Sequence, residues 1–562
     1  MTRFNHIGNL ICAKNKYQLA VLIVCASVLY FPFINQALHI DSDMMVHMAR
    51  QMLKNPVNPP LGVYGQHMAL HDKTNMPGSS VFYRSAHPPL LPLILAPSVA
   101  LAGEKEWPLH LSWFFFYVAA ILGVWYLLGL FFDKTHQFLG TLLWTICPAL
   151  VLNSHTLMWD VPITAFMIWT LVLFIVAERK NRPGLMIASG CILGLSALAK
   201  VNVIALYALF AAYCIRYKRW ASLWMWGIPA VALPLTWVIH NWIVFGKIQY
   251  FSIGLYSPVP GDYRYRFERT ISYLGGAVVL PLFGYWVIPR KKKEIKILGP
   301  IVLFSLTWSI LLRTVLQKPL WFSAGYFFFS LAGLWTLWKM ITFPLPKKEA
   351  GVLRSEHLLI RGYSLLYFIV LILLPTASIR YMLPFLPMAI MVLMTHMQGR
   401  SDREWRNFWI FCMSSTLVLS IGLSIGDYLF CEADRRLPGA LQARGYVPGE
   451  TWYYGRLSYD YYLYQSGYKK LRINPESPEP GEFLVNEYIP ADSPARKMVD
   501  AKFKTVPLDT ISFFNYPFRT KGLYGGFYGN DRMPYTLNFN HPQRAYIVYR
   551  LESNRRHRED IQ

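Results

Sequence analysis

Two carboxylates, Asp41 and Asp43, stand where the chain leaves its first long apolar segment, about Tyr17 to Ala37. Arg84, His87, Asp160, Lys200, Arg264, Arg266, Lys318 and Arg380 recur near the ends of later apolar stretches, all on one side of the chain's alternation between loops. The centres of those stretches hold essentially no Asp or Glu. A proton- or ion-coupled transporter normally needs ionisable groups inside the membrane. Acids and cations gathered at one interface favour chemistry at the membrane surface instead.

The element that must position the first acids is short. From Asp43 onward Met45, Met48 and Met52 fall at i, i+3 and i+7, with Met44 and Leu53 beside them. Asp43, His47, Arg50, Gln51 and Lys54 take the other side, a helical pattern. Asn55-Pro56 ends it, because proline restricts the residue before it and donates no hydrogen bond. Directly after an apolar span, such a helix is expected to lie in the membrane interface and hold Asp41 at the surface. The plainer alternative is a juxtamembrane helix with solvated acids.

Of the 562 residues, 54% are apolar, 16% aromatic and 15% charged. Soluble domains carry about 25% charged residues, and long runs almost free of charge make this a polytopic membrane protein. The net charge of +24 does not point to nucleic acid, because Lys and Arg cluster in short loops between apolar runs, where they orient a membrane protein. Seven cysteines give no disulfide framework: Cys12 is near the N-terminus, Cys25, Cys147, Cys191, Cys214 and Cys412 lie in apolar runs, and only Cys431 lies in the expected external tail. The first segment exceeds a signal-peptide core and reads as a retained anchor.

Apolar stretches lie near 17–37, 109–132, 138–155, 161–177, 185–200, 201–215, 221–243, 270–289, 297–315, 320–341, 358–376, 382–396 and 407–427. A shorter one, Leu90 to Ala102, is preceded or broken by Pro88, Pro89, Pro92 and Pro97. If it does not cross, the basic loops at 178–182, 216–219, 290–293, 347–354 and 400–406 are all cytoplasmic, together with Lys14 and Lys16. The positive-inside rule selects that arrangement, with about 13 crossings and one large first external loop over 38–108. Residues 185–215 are too long for one crossing, so Lys200 is expected at an external turn between two short helices. After Asp427 the chain becomes rich in Tyr, Pro, Gly and charge, with strand-like pieces such as Ala545–Tyr549. The expected division is a membrane domain over 1–428 and a small external α+β domain over 429–562.

The ordered motifs carry a family resemblance. Asp41 through Leu53 resembles the Asp-Glu-x-x-Tyr-x-x-x-x-Arg-x-Met-Leu opening of the first external loop in GT-C glycosyltransferases, with Asp41, Arg50, Met52 and Leu53 in place. Ser42 departs from the second acid, Asp43 supplies one a place later, and Met45 replaces the tyrosine. His87-Pro88-Pro89-Leu90, Met158-Trp159-Asp160-Val161-Pro162-Ile163, Gly194 to Lys200, and Arg380-Tyr381-Met382-Leu383-Pro384-Phe385-Leu386-Pro387 resemble further motifs of that superfamily in the expected order. The similar subgroup holds the aminoarabinose transferases and the bacterial protein O-mannosyltransferase-like (PMT_2-like) enzymes. The likeness covers about the first 400 residues.

The resemblance implies an all-α polytopic bundle with interfacial helices in the first external loop. It also implies inverting transfer of a hexosyl- or pentosyl-type sugar from a polyprenyl-phosphate-linked donor to a hydroxyl or phosphate acceptor on lipid, glycan or protein. The family's base falls on Asp41, with Asp43 and Asp160 as further catalytic acids. Lys200 and Arg380, then Arg84, His87 and Tyr381, are the expected donor-phosphate residues. The chemistry is coherent: a carboxylate takes the acceptor's proton as it attacks, and cations stabilise the charge gained by the phosphate leaving group. No cofactor is certain, and a divalent cation stays open; His67, His71 and Asp72 have a spacing that could hold a metal on a helix, though a polar loop suits them better. The expected location is a bacterial inner membrane, with a cytoplasmic N-terminus and periplasmic tail, partners being membrane lipid and the acceptor.

Plainer readings stand beside these. Asp160 opens a helix, where an acid suits the dipole, and Lys200 at an interface can simply snorkel. A lipid-linked glycan polymerase or ligase would carry its large external loop late in the chain. A transporter or flippase is disfavoured by the missing intramembrane acids.

Overall fold

The computed structural model describes residues 15–39, 41–60, 87–103, 105–246, 248, 263–277, 292–342, 354–374, 378–397, 402–454, 458–471, 478–487, 503–522, 525–528 and 532–553. Arg84, His67, His71 and Asp72 lie outside these residues.

Helix α1 (Asn15–Tyr30) leads through a 3-10 turn started by Pro32 to α2 (Ser42–Lys54), with Asp41 as its N-cap residue. The expected stop holds, as Asn55 is extended and donates to the Gln51 carbonyl. Both faces of α2 are covered: Met45, Met48 and Met52 are buried, and so are Asp43, His47 and Gln51. Its neighbour is α3 (Leu90–Ala102). At 13 residues α3 is about 20 Å long, short of a bilayer core of about 30 Å.

Then follow α4 (Glu106–Gly129), α5 (Lys134–Thr145), α6 (Pro148–Ser154), α7 (Asp160–Lys180), α8 (Pro183–Ala197), α9 (Ile204–Arg216) and α10 (Trp220–Phe245). Prolines at the first turns of α6 and α8 begin helices, where their missing N–H costs nothing. Between α8 and α9 the chain breaks at Lys200 and runs through a 3-10 turn over Val201–Val203, the two-helix arrangement expected there. Helices α11 (Tyr263–Ala277), α12 (Lys292–Thr314), α13 (Leu320–Ile341), α14 (Arg354–Leu373), α15 (Leu386–Met397) and α16 (Asp402–Gln442) complete the bundle. A Cβ on Gly275 would strike the Phe329 carbonyl, and one on Gly333 the Ile271 carbonyl, so α11 and α13 touch backbone to backbone.

Among the described residues seven helical stretches are long and apolar enough to cross a membrane, and α5 with α6, bent by 53°, make an eighth if they cross together. The expected tally of about 13 also needs four shorter helices, all but Leu90–Ala102 of those with 10–17 residues, and the 270–289 stretch, of which 278–289 fall outside the described residues.

Helix α16 is 41 residues long, and the expected boundary at 428/429 falls inside it. A sheet follows, with α17 (Ser458–Gln465) inserted after its first strand. Its strands are β1 (Thr451–Tyr453), β2 (Lys469–Lys470), β3 (Phe483–Asn486), β4 (Phe503–Phe513) and β9 (Arg544–Ser553), ordered β2-β1-β3-β9-β4, and four two-residue strands between 518 and 537 are β5–β8. Strand β9 contains the expected 545–549 piece. Edge strand β4 shifts register between Pro507 and Asp509, where proline cannot donate to the ladder. The sheet rests on α16: Leu437 and Leu441 share a buried cluster with Tyr453, Val485, Ile511, Tyr546 and Val548.

Candidate active site

Four segment ends place the charged groups. Asp41 caps α2, Asp160 opens α7, Lys200 sits in the break after α8, and Arg380 lies in a 3-10 turn (Ile379–Met382) ahead of α15. A side chain in a break or first turn can project inward without a helical neighbour beside it. Backbone bonds fix these ends to one another. Leu90 N–H donates to the Leu198 carbonyl at 3.1 Å, joining the His87 segment to the Lys200 turn. Ile379 N–H donates to the Phe527 carbonyl at 3.2 Å, tying the Arg380 turn to the C-terminal region.

The charges form a chain. Lys200 Nζ donates to Asp160 Oδ1 at 2.6 Å. Arg380 Nε lies 3.6 Å from Asp160 Oδ2, and Arg380 Nη1 donates to Asp41 Oδ2 at 3.2 Å. Lys200 Nζ also stands 4.2 Å from the centre of the Tyr381 ring, whose face attracts a cation. Two acids and two cations therefore share one site, but not equally. The Asp160 side chain is 6% exposed and held by both cations, whereas Asp41 is 31% exposed and meets one. Asp160 is thus a fixed counter-ion, and Asp41 is the carboxylate that an incoming molecule can reach.

His87 packs against Trp159 with ring centres 4.3 Å apart and planes tilted by 45°. Part of its surface stays accessible, yet its surroundings are packed protein: burial, then the Lys200 cation, push its pKa down to about 3. It is a neutral imidazole at ordinary pH. For Arg380, burial works against the charge, but Tyr381, Asp160 and Asp41 outweigh it and hold the guanidinium above its ordinary range.

Six of the expected site residues therefore meet: Asp41, His87, Asp160, Lys200, Arg380 and Tyr381. Asp43 is buried on α2 and accepts the Met44 N–H at 2.7 Å. Arg264 turns elsewhere, to Glu268 at 3.1 Å, and Arg266 to the Leu373 carbonyl at 3.1 Å. Two contributors escaped sequence reasoning. Ser42 is buried and its Oγ accepts the Leu157 N–H at 3.1 Å, so it steadies the segment that delivers Asp160. Trp159 supplies the face against which His87 packs. Both sit next to an acid inside a quoted motif, and that adjacency was the available signal.

Residues 86–242 match the family model described as dolichyl-phosphate-mannose-protein mannosyltransferase. Over this segment, which is less than half of the chain, the protein is similar to that glycosyltransferase family. The matched segment contains His87, Asp160 and Lys200, whereas Asp41 and Arg380 lie outside it and join them only in space. No curated protein matches the chain. Among solved structures, ArnT from Cupriavidus metallidurans bound to undecaprenyl phosphate is 12% identical with a TM-score of 0.47, over 95% of this chain and 98% of that one. The Archaeoglobus fulgidus oligosaccharyltransferase in complex with Zn and sulfate is 13% identical with a TM-score of 0.46, over 81% of this chain and 62% of that one. Arabinofuranosyltransferase AftD from Mycobacteria is 11% identical with a TM-score of 0.41, over 96% of this chain and 40% of that one. With scores this low, none of the three carries an argument about this chain.

Proposed function

We propose that this protein moves a hexosyl- or pentosyl-type sugar from a polyprenyl-phosphate donor to a hydroxyl or phosphate acceptor on lipid, glycan or protein, inverting the anomeric centre. The observation that carries the reading is the asymmetry of the two acids: Asp41 is reachable and held by Arg380 alone, while Asp160 is enclosed by Lys200 and Arg380. Asp41 takes the acceptor proton as the acceptor oxygen attacks the anomeric carbon. The bond to the phosphate oxygen breaks on the opposite face, and the lipid phosphate leaves with the electron pair. Lys200 and Arg380 receive that charge, Arg380 through its planar fork and Lys200 as a point charge. Asp160 keeps both cations aimed, and neutral His87, with Tyr381, offers uncharged contacts to the phosphate oxygens. Arg84 is a further donor-phosphate residue in this proposal.

The proposed setting is a bacterial inner membrane, with the site and the region after 428 on the periplasmic face and the N-terminus in the cytoplasm. Its basis is the basic loops that must stay inside. The test is to incubate the purified full-length protein with radiolabelled polyprenyl-phosphate sugars and candidate lipid, glycan and protein acceptors. Label transferred by the wild type and lost in Asp41→Asn supports the reading. Donors left intact with every acceptor, or equal transfer by Asp41→Asn, would overturn it.

A further inference from the structure

The transfer reaction leaves one buried group of chemistry-bearing side chains unused. Asp427 and Cys431 lie four residues apart on α16, one turn above the other on the same face. His39, from the loop between α1 and α2, reaches them. Among the described residues these three form a His/Asp/Cys group whose ligand atoms all lie within 4.8 Å of one another, and each is buried. His39 Nε2 is 3.4 Å from Asp427 Oδ1. Gln36 lines the same place, its Nε2 lying 3.1 Å from Asp427 Oδ2 and 3.5 Å from Cys431 Sγ.

A purely structural account explains part of this. Asp427 accepts from Thr520 Oγ1 at 2.7 Å and from the Tyr528 hydroxyl at 3.0 Å, so it is a hub between α16 and the C-terminal region. It does not explain His39 Nδ1, in a ring that is 1% exposed and whose Nε2 alone faces Asp427, nor the Oε1 of fully buried Gln36, which accepts no hydrogen bond. Buried polar atoms are nearly always satisfied, and orphans of this kind ask for a partner. A cation among the imidazole, carboxylate and thiol would take one ring nitrogen of His39 and bring Gln36 Oε1 into use. It also turns the Gln36 amide, so that Oε1 faces inward.

We propose that His39, Asp427 and Cys431 bind a zinc-class divalent metal, with the Gln36 carbonyl oxygen completing the set. The donors select the ion. Calcium and magnesium want cages of oxygen, whereas one thiolate, one imidazole and one carboxylate suit zinc. On binding, the Cys431 S–H bond breaks, its proton passes to solvent, and sulfur and neutral His39 each give an electron pair to the metal. With bonds of about 2.0–2.3 Å, tetrahedral ligands stand roughly 3.3–3.8 Å apart, so the side chains close in by about 1 Å. The site shares no ligand with the Asp41 centre. Its effect is positional: it clamps the segment two residues ahead of Asp41 to α16 and, through Thr520 and Tyr528, to the C-terminal region.

The full-length protein, purified in detergent, stripped with a chelator and reloaded with zinc, is assayed for bound metal by mass spectrometry. The wild type should retain zinc in equimolar amount, and His39→Ala and Cys431→Ser should fall to background. Tyr528→Phe, which weakens the hub without touching a ligand, should retain it. Loaded with cobalt(II), the wild type should show a thiolate-to-cobalt charge-transfer band in the near ultraviolet, lost in the near-isosteric Cys431→Ser and kept in His136→Ala. Equal zinc in the wild type and Cys431→Ser, or no charge-transfer band in the wild type, would overturn the proposal.

Discussion

Arg380 Nη1 donates to Asp41 Oδ2 at 3.2 Å although 339 residues separate the two in the chain. The same guanidinium lies 3.6 Å from Asp160, so one cation spans both acids. Its position makes the roles of the two carboxylates separable by experiment.

Asp41→Asn keeps shape and hydrogen bonding but cannot accept a proton at neutral pH. Turnover with a polyprenyl-phosphate sugar should fall by about 10²–10⁴-fold while donor binding is largely kept. Asp43→Asn should cost less, because that side chain is buried at the helix start. A dead Asp43→Asn beside a normal Asp41→Asn would move the base by two residues.

Lys200 and Arg380 are expected to bear on donor use. Lys200→Ala and Arg380→Ala should each lower kcat/KM for the donor, by roughly 2–4 kcal/mol of transition-state stabilisation. Initial rates across donor concentrations decide it: saturation and turnover unchanged in both variants would remove these residues from the donor site.

The Lys200–Asp160 pair also has a stability signature. Removing Lys200 leaves Asp160 buried with Arg380 alone at 3.6 Å, at a cost of up to about 3–5 kcal/mol, whereas apolar replacement of both members of the pair can be closer to neutral. Lys200→Met should therefore lower the thermal midpoint in detergent more than Lys200→Met combined with Asp160→Leu. Additive losses would mean that the pair is not dry.

His87 gives a pH dependence of defined sign. Its folded pKa lies near 3 against 6.5 for the free side chain. Between those values the unfolded chain binds a proton that the folded chain refuses. Stability from this residue is thus full above about pH 6.5 and falls as pH drops, by at most about 1.4 kcal/mol per pH unit. His87→Asn should flatten the wild-type loss measured by thermal unfolding between pH 7.5 and 5; identical slopes would count against a neutral His87.

The backbone contact of α11 and α13 admits no added methyl. Gly333→Ala should destabilise by about 1–3 kcal/mol, as overpacking does. The control is Gly184→Ala, where a Cβ meets nothing within 4 Å. Equal thermal midpoints for the two variants would show that the helices can part.

Much of this was legible in advance, for identifiable reasons. Apolar periodicity and the Asn55-Pro56 stop gave α2, and a stretch too long for one crossing gave the break at Lys200. The motifs, in order, gave the residues that now meet. What the chain could not display was partnership. Nothing in Asp160 or Lys200 alone says that they lie 2.6 Å apart, or that a residue near 380 bridges to one near 41. Ser42 read as a missing acid, and only its contact with Leu157 gives it a role. His39 and Asp427 carried no periodic signal, because one lies in a loop and the other at the end of an apolar run.

The hydrogen bond from Ile379 to Phe527 sets an order in time. Ribosomes make chains from the N-terminus, so Asp41, Asp160, Lys200 and Arg380 all leave the ribosome before the residue that steadies the Arg380 turn. A nascent chain can hold every charged group of the site and still lack the frame that aims them. A chain released before Phe527 would therefore carry all four charged groups without the bond that ties Ile379, beside Arg380, to the C-terminal region.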